Sequence, residues 1–331
     1  MRTRLPILLL TLLATPLHAQ TVGDRLGTLS EANARGYISS LARGVGHALA
    51  SRIAQGAQPL NRGRVRVGVH VTTALFDRGD AAFNAVPPAN LQWNGVTYDN
   101  PYEPQGATLR TPTAVGKGTG VTLVPRLGSD FRLALLLAEE NPNSEKWTLR
   151  LPDGFDLPAV PLAFLEASVG LGAGTEISAR YLPSVKMSES LGSVGFVGAS
   201  LLHDLDRHLA TPLPLEVAAV AAFQSASMGE YLDETALSAG FVASRSFVPI
   251  DLYAAAMVTR ISSDVTYTAD NPTNHPALPP TGTPVSFSVD AGTRARLALG
   301  AGLDLVFFRL TGEFALAEYR TFTLGITTGL P

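Results

Sequence analysis

The run HDLDRH at 203–208 packs two imidazoles and two carboxylates into six residues. These are the side chains that a serine hydrolase or a metal site draws on. Ser200 stands three residues ahead of His203 as a candidate nucleophile. In an extended strand an odd separation places two side chains on opposite faces, and the His-Asp-x-Asp-x-His spacing matches no closed metal set. A polar turn is the reading this stretch supports. GKGTG at 116–120 has the glycines of a phosphate loop without its spacing. His47 and His70 could meet inside the molecule, yet single histidines are usually structural. No catalytic residue, metal ligand set or cofactor is expected, and the chain is read as a non-enzyme.

The other polar side chains follow a different rule. In RVRVGVHVTT, Arg64, Arg66 and His70 oppose Val65, Val67, Val69 and Val71; in TEISARYLP, Glu176 and Arg180 oppose Ile177, Ala179 and Tyr181. Arg294, Arg296 and Asp304 oppose Ala295, Leu297, Leu299 and Leu303 in the same way, and Asp251 and Glu313 fall in two further alternating stretches. A period of two is the mark of a strand with one apolar face. These ten charged or imidazole residues, Arg64, Arg66, His70, Glu176, Arg180, Asp251, Arg294, Arg296, Asp304 and Glu313, form one candidate set. It lines a lumen or binds a ligand, and its mixed signs favour paired networks over a single-sign ion filter.

Alternation alone fits a soluble sandwich as well as a membrane barrel. Three features favour the barrel. The polar faces carry Gly, Ala and Ser with isolated charges, where exposed sheet surfaces favour long charged chains. A stretch such as 294–307 exceeds the usual soluble strand and reaches the length that crosses a bilayer at a tilt. The N-terminus reads MRTRLPILLLTLLATPLHAQ, a basic, apolar, small-residue series typical of a signal peptide cleaved after Ala19. The alternative for that segment is a membrane anchor, for which its apolar run is short.

The expected fold is an all-β transmembrane antiparallel barrel of about 10–12 strands with an N-terminal α-helical segment. Strands are expected from Arg64 and at about 162–172, 175–183, 192–204, 213–226, 235–247, 249–261 and 294–307, with two more before the C-terminus. Further strands at 119–125 and 131–138 would bring the number to twelve. Residues 1–19 are the signal peptide, 20–60 the helical segment, and 61–331 the barrel with a long external insert at 77–159. Leu26, Leu29, Tyr37, Leu41, Val45, Leu49 and Ile53 recur at helical spacing. They make one long helix or two short ones, either plugging the lumen or resting on its rim. As a plug, Arg35, Arg43 and Arg52 would meet lumenal carboxylates. The scheme takes the mature N-terminus as periplasmic and strand one as running outward.

Composition narrows the partners. The net charge of -3 gives no footprint for nucleic acid. The absence of cysteine removes disulfides, thiolate chemistry and lipoprotein acylation. Expected partners are membrane lipid and lipopolysaccharide, the outer-membrane barrel assembly machinery and an unknown small-molecule ligand.

LSEANARGYISSLARGVGHALASR, GTEISARYLP and GFVGASLLHDLDRHL together resemble a family of uncharacterised bacterial outer-membrane proteins, over roughly residues 28–331. The matching positions are Asn33, Tyr37 and Gly46; Gly174, Thr175, Glu176, Arg180, Tyr181 and Pro183; and Gly198, His203 and Asp204. Members pair an N-terminal helical segment with a barrel, and the resemblance extends to barrels that move hydrophobic compounds across the outer membrane. The chain departs from the usual terminal aromatic by ending Gly329, Leu330, Pro331. The resemblance implies location and architecture. The expected role is passive transport or binding of a small molecule, a hydrophobic one by this analogy; the alternatives are a structural or adhesive surface barrel and an outer-membrane lipid hydrolase.

Overall fold

The computed structural model describes residues 21–208 and 214–330. The expected signal peptide lies outside the described residues. Ten antiparallel strands close into one barrel: β1 (Val65–Leu75), β2 (Ala159–Gly172), β3 (Thr175–Ser188), β4 (Gly192–Asp204), β5 (Glu216–Met228), β6 (Leu232–Phe247), β7 (Ile250–Thr268), β8 (Pro284–Asp304), β9 (Arg309–Leu316) and β10 (Arg320–Leu330). β2 to β10 form a meander in chain order. β1 is the closing strand, paired with β10 from Val65↔Leu330 to Leu75↔Arg320 and with β2 from Val65↔Val169 to Leu75↔Ala159.

The alternation read from the sequence is the alternation of the wall. Ile177 and Tyr181 are 40% and 55% exposed, whereas Glu176 and Arg180 are 3% and 2%. The apolar face therefore points out and the charged face points in. Along β7 the outward side chains run Ile250, Leu252, Ala254, Ala256 and Val258 and then turn polar at Arg260, Ser262 and Asp264. About nine residues of apolar strand is what a bilayer core requires of a tilted strand, so the chain is a membrane-spanning barrel. No described helix is long and apolar enough to cross a membrane.

Two ends differ. At the turn end, β2 and β3 are joined at 173–174, β6 and β7 at 248–249, and β8 and β9 at 305–308. The loop end carries the connections 76–158 and 269–283. β7 and β8 run past the expected 249–261 and 294–307 toward the loop end. Those extensions were illegible as membrane strand because their outward faces, with Asp264, Ser288 and Asp290, stand above the apolar band.

The insert is folded and contributes no barrel strand. Within 119–125, Thr122–Pro125 pairs in a three-stranded sheet of the insert, and of 131–138 all but Ala138, the helix cap, lies in α3 (Asp130–Leu137). Ser129 caps α3 through its hydroxyl, which accepts from the Arg132 N–H at 3.2 Å, and Phe131 and Leu135 are buried. Eight apolar-rich residues cannot be told from a strand by pattern alone. Trp93, Tyr98, Tyr102, Phe131 and Trp147 form the aromatic core of this cap.

The N-terminal segment makes two helices, α1 (Val22–Gly27) and α2 (Glu31–Leu49). α2 touches β1, β2, β5, β6, β7 and β8; only an element inside the ring can do so. It is a plug. Its course reverses the expected one: Val22 N–H donates to Ser190 O at 2.9 Å and Asp270 N–H to Gly27 O at 2.8 Å, both at the loop end. The chain then descends the lumen and reaches the turn end, where Gly63 N–H donates to Gly170 O. Helical periodicity carries no information on which way a plug points.

Candidate functional site

The lumen divides into an apolar half near the loop end and a polar half near the turn end. In the first, Tyr37, Ile38, Leu41, Val45 and Leu49 of α2 join one core with Leu162, Phe164, Phe196, Ile261 and Val265 of the wall. Small residues let the helix approach. A Cβ on Gly46 would stand 2.3 Å from Ile261 Cγ2, and one on Gly36 would stand 2.3 Å from the Phe83 ring.

The polar half begins where α2 ends, at its cap residue Ala50. Arg180 holds the two residues that follow the helix cap: its guanidinium donates to Ser51 O at 2.9 Å and to Arg52 O, while Nε donates to Glu166 Oε2 at 2.9 Å. A cation at a helix C-terminus also complements the helix dipole. Glu313 performs the matching task for donors, accepting from Arg52 N–H at 2.9 Å, Tyr253 OH at 3.0 Å and Arg296 at 3.3 Å. Ser51 donates to Thr72 Oγ1 at 2.7 Å. Arg52 itself holds a left-handed backbone (φ 47°) and is fully buried.

The candidate residues of the sequence separate into three groups. His70, Glu176, Arg180, Arg296 and Glu313 are buried in the lumen, and Arg66 joins them through its pair with Glu176 at 2.6 Å. Arg294 sits nearer the loop end, where it and Arg43 share Glu318. Asp251, Asp304 and Arg64 lie toward the turn end: Arg309 pairs with Asp251 at 2.5 Å and with Asp304 at 3.3 Å, and Arg64 is exposed. Arg64, Arg66, Asp251 and Arg309 help to line a polar vestibule of about 290 Å3 that the plug segment closes from above. Of the plug arginines expected to meet carboxylates, Arg43 meets Glu318, Arg35 meets Glu31 of its own helix, and Arg52 meets Glu313 through its backbone N–H alone.

One feature of the wall lay outside the sequence reading. β2 and β3 pair only from Thr175↔Gly172 to Tyr181↔Leu165. Both strands continue toward the loop end, Ala159–Phe164 on β2 and Leu182–Ser188 on β3, without bonding each other. The pairing of β3 with β4 also shifts register between Leu182 and Val185. A proline stands on each side of this seam, Pro161 and Pro183; lacking an N–H, proline suits an unpaired strand edge. Two prolines inside alternating strands were the signal available in the sequence. Behind the seam lie the buried Val160, Leu162 and Phe164 and the half-buried Leu182, all part of the apolar core around α2. Outside and below it, an apolar groove of about 670 Å3 includes Leu165, Ala167, Ala179 and Tyr181.

The cap holds the plug from the loop end. Asn33 exchanges two hydrogen bonds with Val86, Nδ2 to O at 3.0 Å and N–H to Oδ1 at 2.8 Å, and Tyr37 OH donates to Asp153 O at 2.9 Å. The cap is tied to the 269–283 loop by Tyr102 and His275, whose Oη and Nε2 lie 2.7 Å apart. Burial raises the Tyr102 phenol well above its usual value and lowers His275 to about 4.

The stretches that resembled reactive motifs have structural roles. His203 contacts Thr175 Oγ1 at 2.9 Å and His208 at 3.0 Å in the turn-end rim. Ser200 lies on the other face of β4 from His203 by the inward–outward alternation of that strand. No group of three metal-ligating side chains occurs among the described residues. In GKGTG, Gly116 and Gly120 pack on backbone: an added Cβ at either would stand 1.9 Å from a carbonyl oxygen, of Ala81 and Leu151 respectively.

Over residues 1–330 the chain matches the model of a family of unknown function, DUF6588, and it belongs to that family. No curated protein matches it. Among solved structures it is similar to the outer membrane protease OmpT from Escherichia coli, at 8% identity and a TM-score of 0.34 over 81% of this chain and 95% of that one. It is similar to the translocator domain of the autotransporter NalP from Neisseria meningitidis, at 9% identity and 0.30 over 90% and 99%. It is also similar to a mutant of the monoaromatic hydrocarbon channel TodX, at 10% identity and 0.28 over 85% and 92%. Likenesses this low concern barrel architecture and say nothing of activity.

Proposed function

We propose that this DUF6588 member is an outer-membrane barrel that binds and passively transfers a small hydrophobic molecule between the outer leaflet and its own apolar interior, without a catalytic step. The turn end then faces the periplasm and the loop end the exterior, the usual arrangement of short and long connections. The observation that carries the reading is the parted β2–β3 seam. An unpaired strand edge facing lipid is costly because nothing there can bond its N–H and C=O groups. Here the edge is flanked outside by Leu165, Tyr181 and Val185 and backed inside by Leu162 and Phe164. A water-filled axial route finds no support, since the plug fills the lumen. An apolar molecule needs none: it partitions in the bilayer and meets an apolar core through the wall.

The test is binding of the hydrophobic fluorophore N-phenyl-1-naphthylamine to the protein in lipid nanodiscs. Saturable binding, lost when Leu162→Trp adds bulk to the packed core behind the seam and retained with Val71→Trp on the outer face, is the expected result. Binding that is absent, or equal in all three proteins, contradicts the reading.

A second reading is a surface barrel that binds a partner without transport. Leu127, Leu133, Leu136 and Leu137 of the cap are 55–78% exposed, and solvated surfaces rarely group large apolar side chains. The seam has no role in that reading.

A further inference from the structure

We infer that the N-terminal end of the described chain, at Thr21, lies on the cell surface, with residues 21–60 running inward through the lumen to the periplasmic rim. This rests on the orientation given above, loop end outward.

α1 is held entirely by loop-end elements. Val22 N–H donates to Ser190 O in the β3–β4 connection, and Gly27 O accepts from Asp270 N–H beyond β7. Arg25 donates to Asp153 O of the insert and lies over the Phe155 ring at 3.8 Å. Gly23 abuts Tyr231 of the β5–β6 connection. Val22 and Leu26 are fully buried among these partners, while Asp24 is exposed. α2 then passes down the lumen, Ser51 and Arg52 just beyond its end are gripped by Arg180 and Glu313, and residues 61–64 meet the opposite rim at Gly170. One chain thus crosses the wall's full height inside the barrel before crossing it again as β1.

Such a path does not demand threading through a finished ring. β1 directly follows the plug and is the strand that closes the meander, between β10 and β2. A nine-stranded open sheet can wrap around the plug, and closure by β1 then seals it with its start outside. α1 also owns a capping box, Thr21 with Asp24, so it is a formed element at the surface and adds to the outward face that the cap and loops present.

The chain has no cysteine, which makes site-directed labelling clean. Single cysteines are placed at Asp24, where the Thr21 hydroxyl still accepts from the backbone N–H, and at Ala32, outside the capping box; both are exposed at the loop end of the plug. Further ones are placed at Ala107, exposed in the cap, and at Val306, 90% exposed in a turn. Folding of each is verified by its heat-dependent gel shift, and intact cells are treated with a membrane-impermeant maleimide. The expected result is labelling of Asp24→Cys, Ala32→Cys and Ala107→Cys on intact cells, with Val306→Cys labelled only after the outer membrane is permeabilised. Labelling of Ala107→Cys without Asp24→Cys or Ala32→Cys overturns the inference and leaves the orientation standing. Labelling of Val306→Cys without Ala107→Cys overturns the orientation itself, and the inference with it.

Discussion

Arg180 on β3 and Glu166 on β2 occupy paired ladder positions, with Nε 2.9 Å from Oε2 and both side chains almost fully buried. Through that pair the wall holds the plug: Arg180 extends to Ser51 O and Arg52 O, and Glu166 accepts from Gln55. Arg180→Met leaves Glu166 charged and buried, and breaking a buried pair from one side costs about 3–5 kcal/mol. Replacing both by Met should recover much of that loss, because no charge is then stranded. The urea midpoint of the folded-to-unfolded gel shift measures both. Equal midpoints for the wild type and Arg180→Met would show that the pair does not hold the plug.

Gly46 sets how closely α2 lies on β6 and β7. An added Cβ would fall 2.3 Å from Ile261 Cγ2 and 3.0 Å from a Glu234 oxygen. Gly46→Ala should therefore destabilise by about 1–3 kcal/mol through overpacking, despite the gain in helix propensity of about 1 kcal/mol that alanine brings. The same urea titration reads it, and a stabilised variant would refute the close approach.

Asn33 bonds both the N–H and the C=O of Val86. Asn33→Ala removes two hydrogen bonds worth about 0.5–1.5 kcal/mol each and should loosen the cap without opening the barrel. Limited proteolysis should then cut the 76–158 segment faster, while the gel shift of the barrel stays at its wild-type midpoint.

His275 makes the cap sensitive to acid. Its Nδ1 accepts from Ala277 N–H at 3.1 Å, so the neutral ring carries its proton on Nε2 and donates it to Tyr102 Oη. Burial lowers its pKa from 6.5 to about 4. The unfolded segment takes up a proton first, so this stabilisation is complete above pH 6.5 and is lost as pH falls from 6.5 toward about 4. Both tryptophans, Trp93 and Trp147, belong to the cap, and their fluorescence reports cap unfolding alone. His275→Gln should flatten the dependence across that window; an unchanged slope would assign it to other groups.

The wall was legible because lipid on one side and charge on the other enforce a strict period of two, as in Glu176, Ile177, Arg180 and Tyr181. Helical spacing from Leu26 to Leu49 equally marked the helical segment, while its place as plug or rim element stayed open. Whatever depends on contacts between distant segments was not legible. The direction of α2 is decided by Ser190 and Asp270, far along the chain, and the end of β2–β3 pairing is a relation between strands that no single strand reveals. The DFRLALLL stretch is too short for its period to decide between helix and strand, and its helix rests on the Ser129 cap and on burial of Phe131. Arg294 and Arg296, two residues apart on one strand face, serve different halves of the lumen because one meets Glu318 and the other Glu313.

The most direct test is the conductance of the intact refolded protein in a planar bilayer. A lumen filled by residues 21–60, with its route for apolar molecules through the wall, predicts insertion without steps of ionic current. Stable ohmic steps from the intact protein would mean that water passes the plug, and would contradict the account.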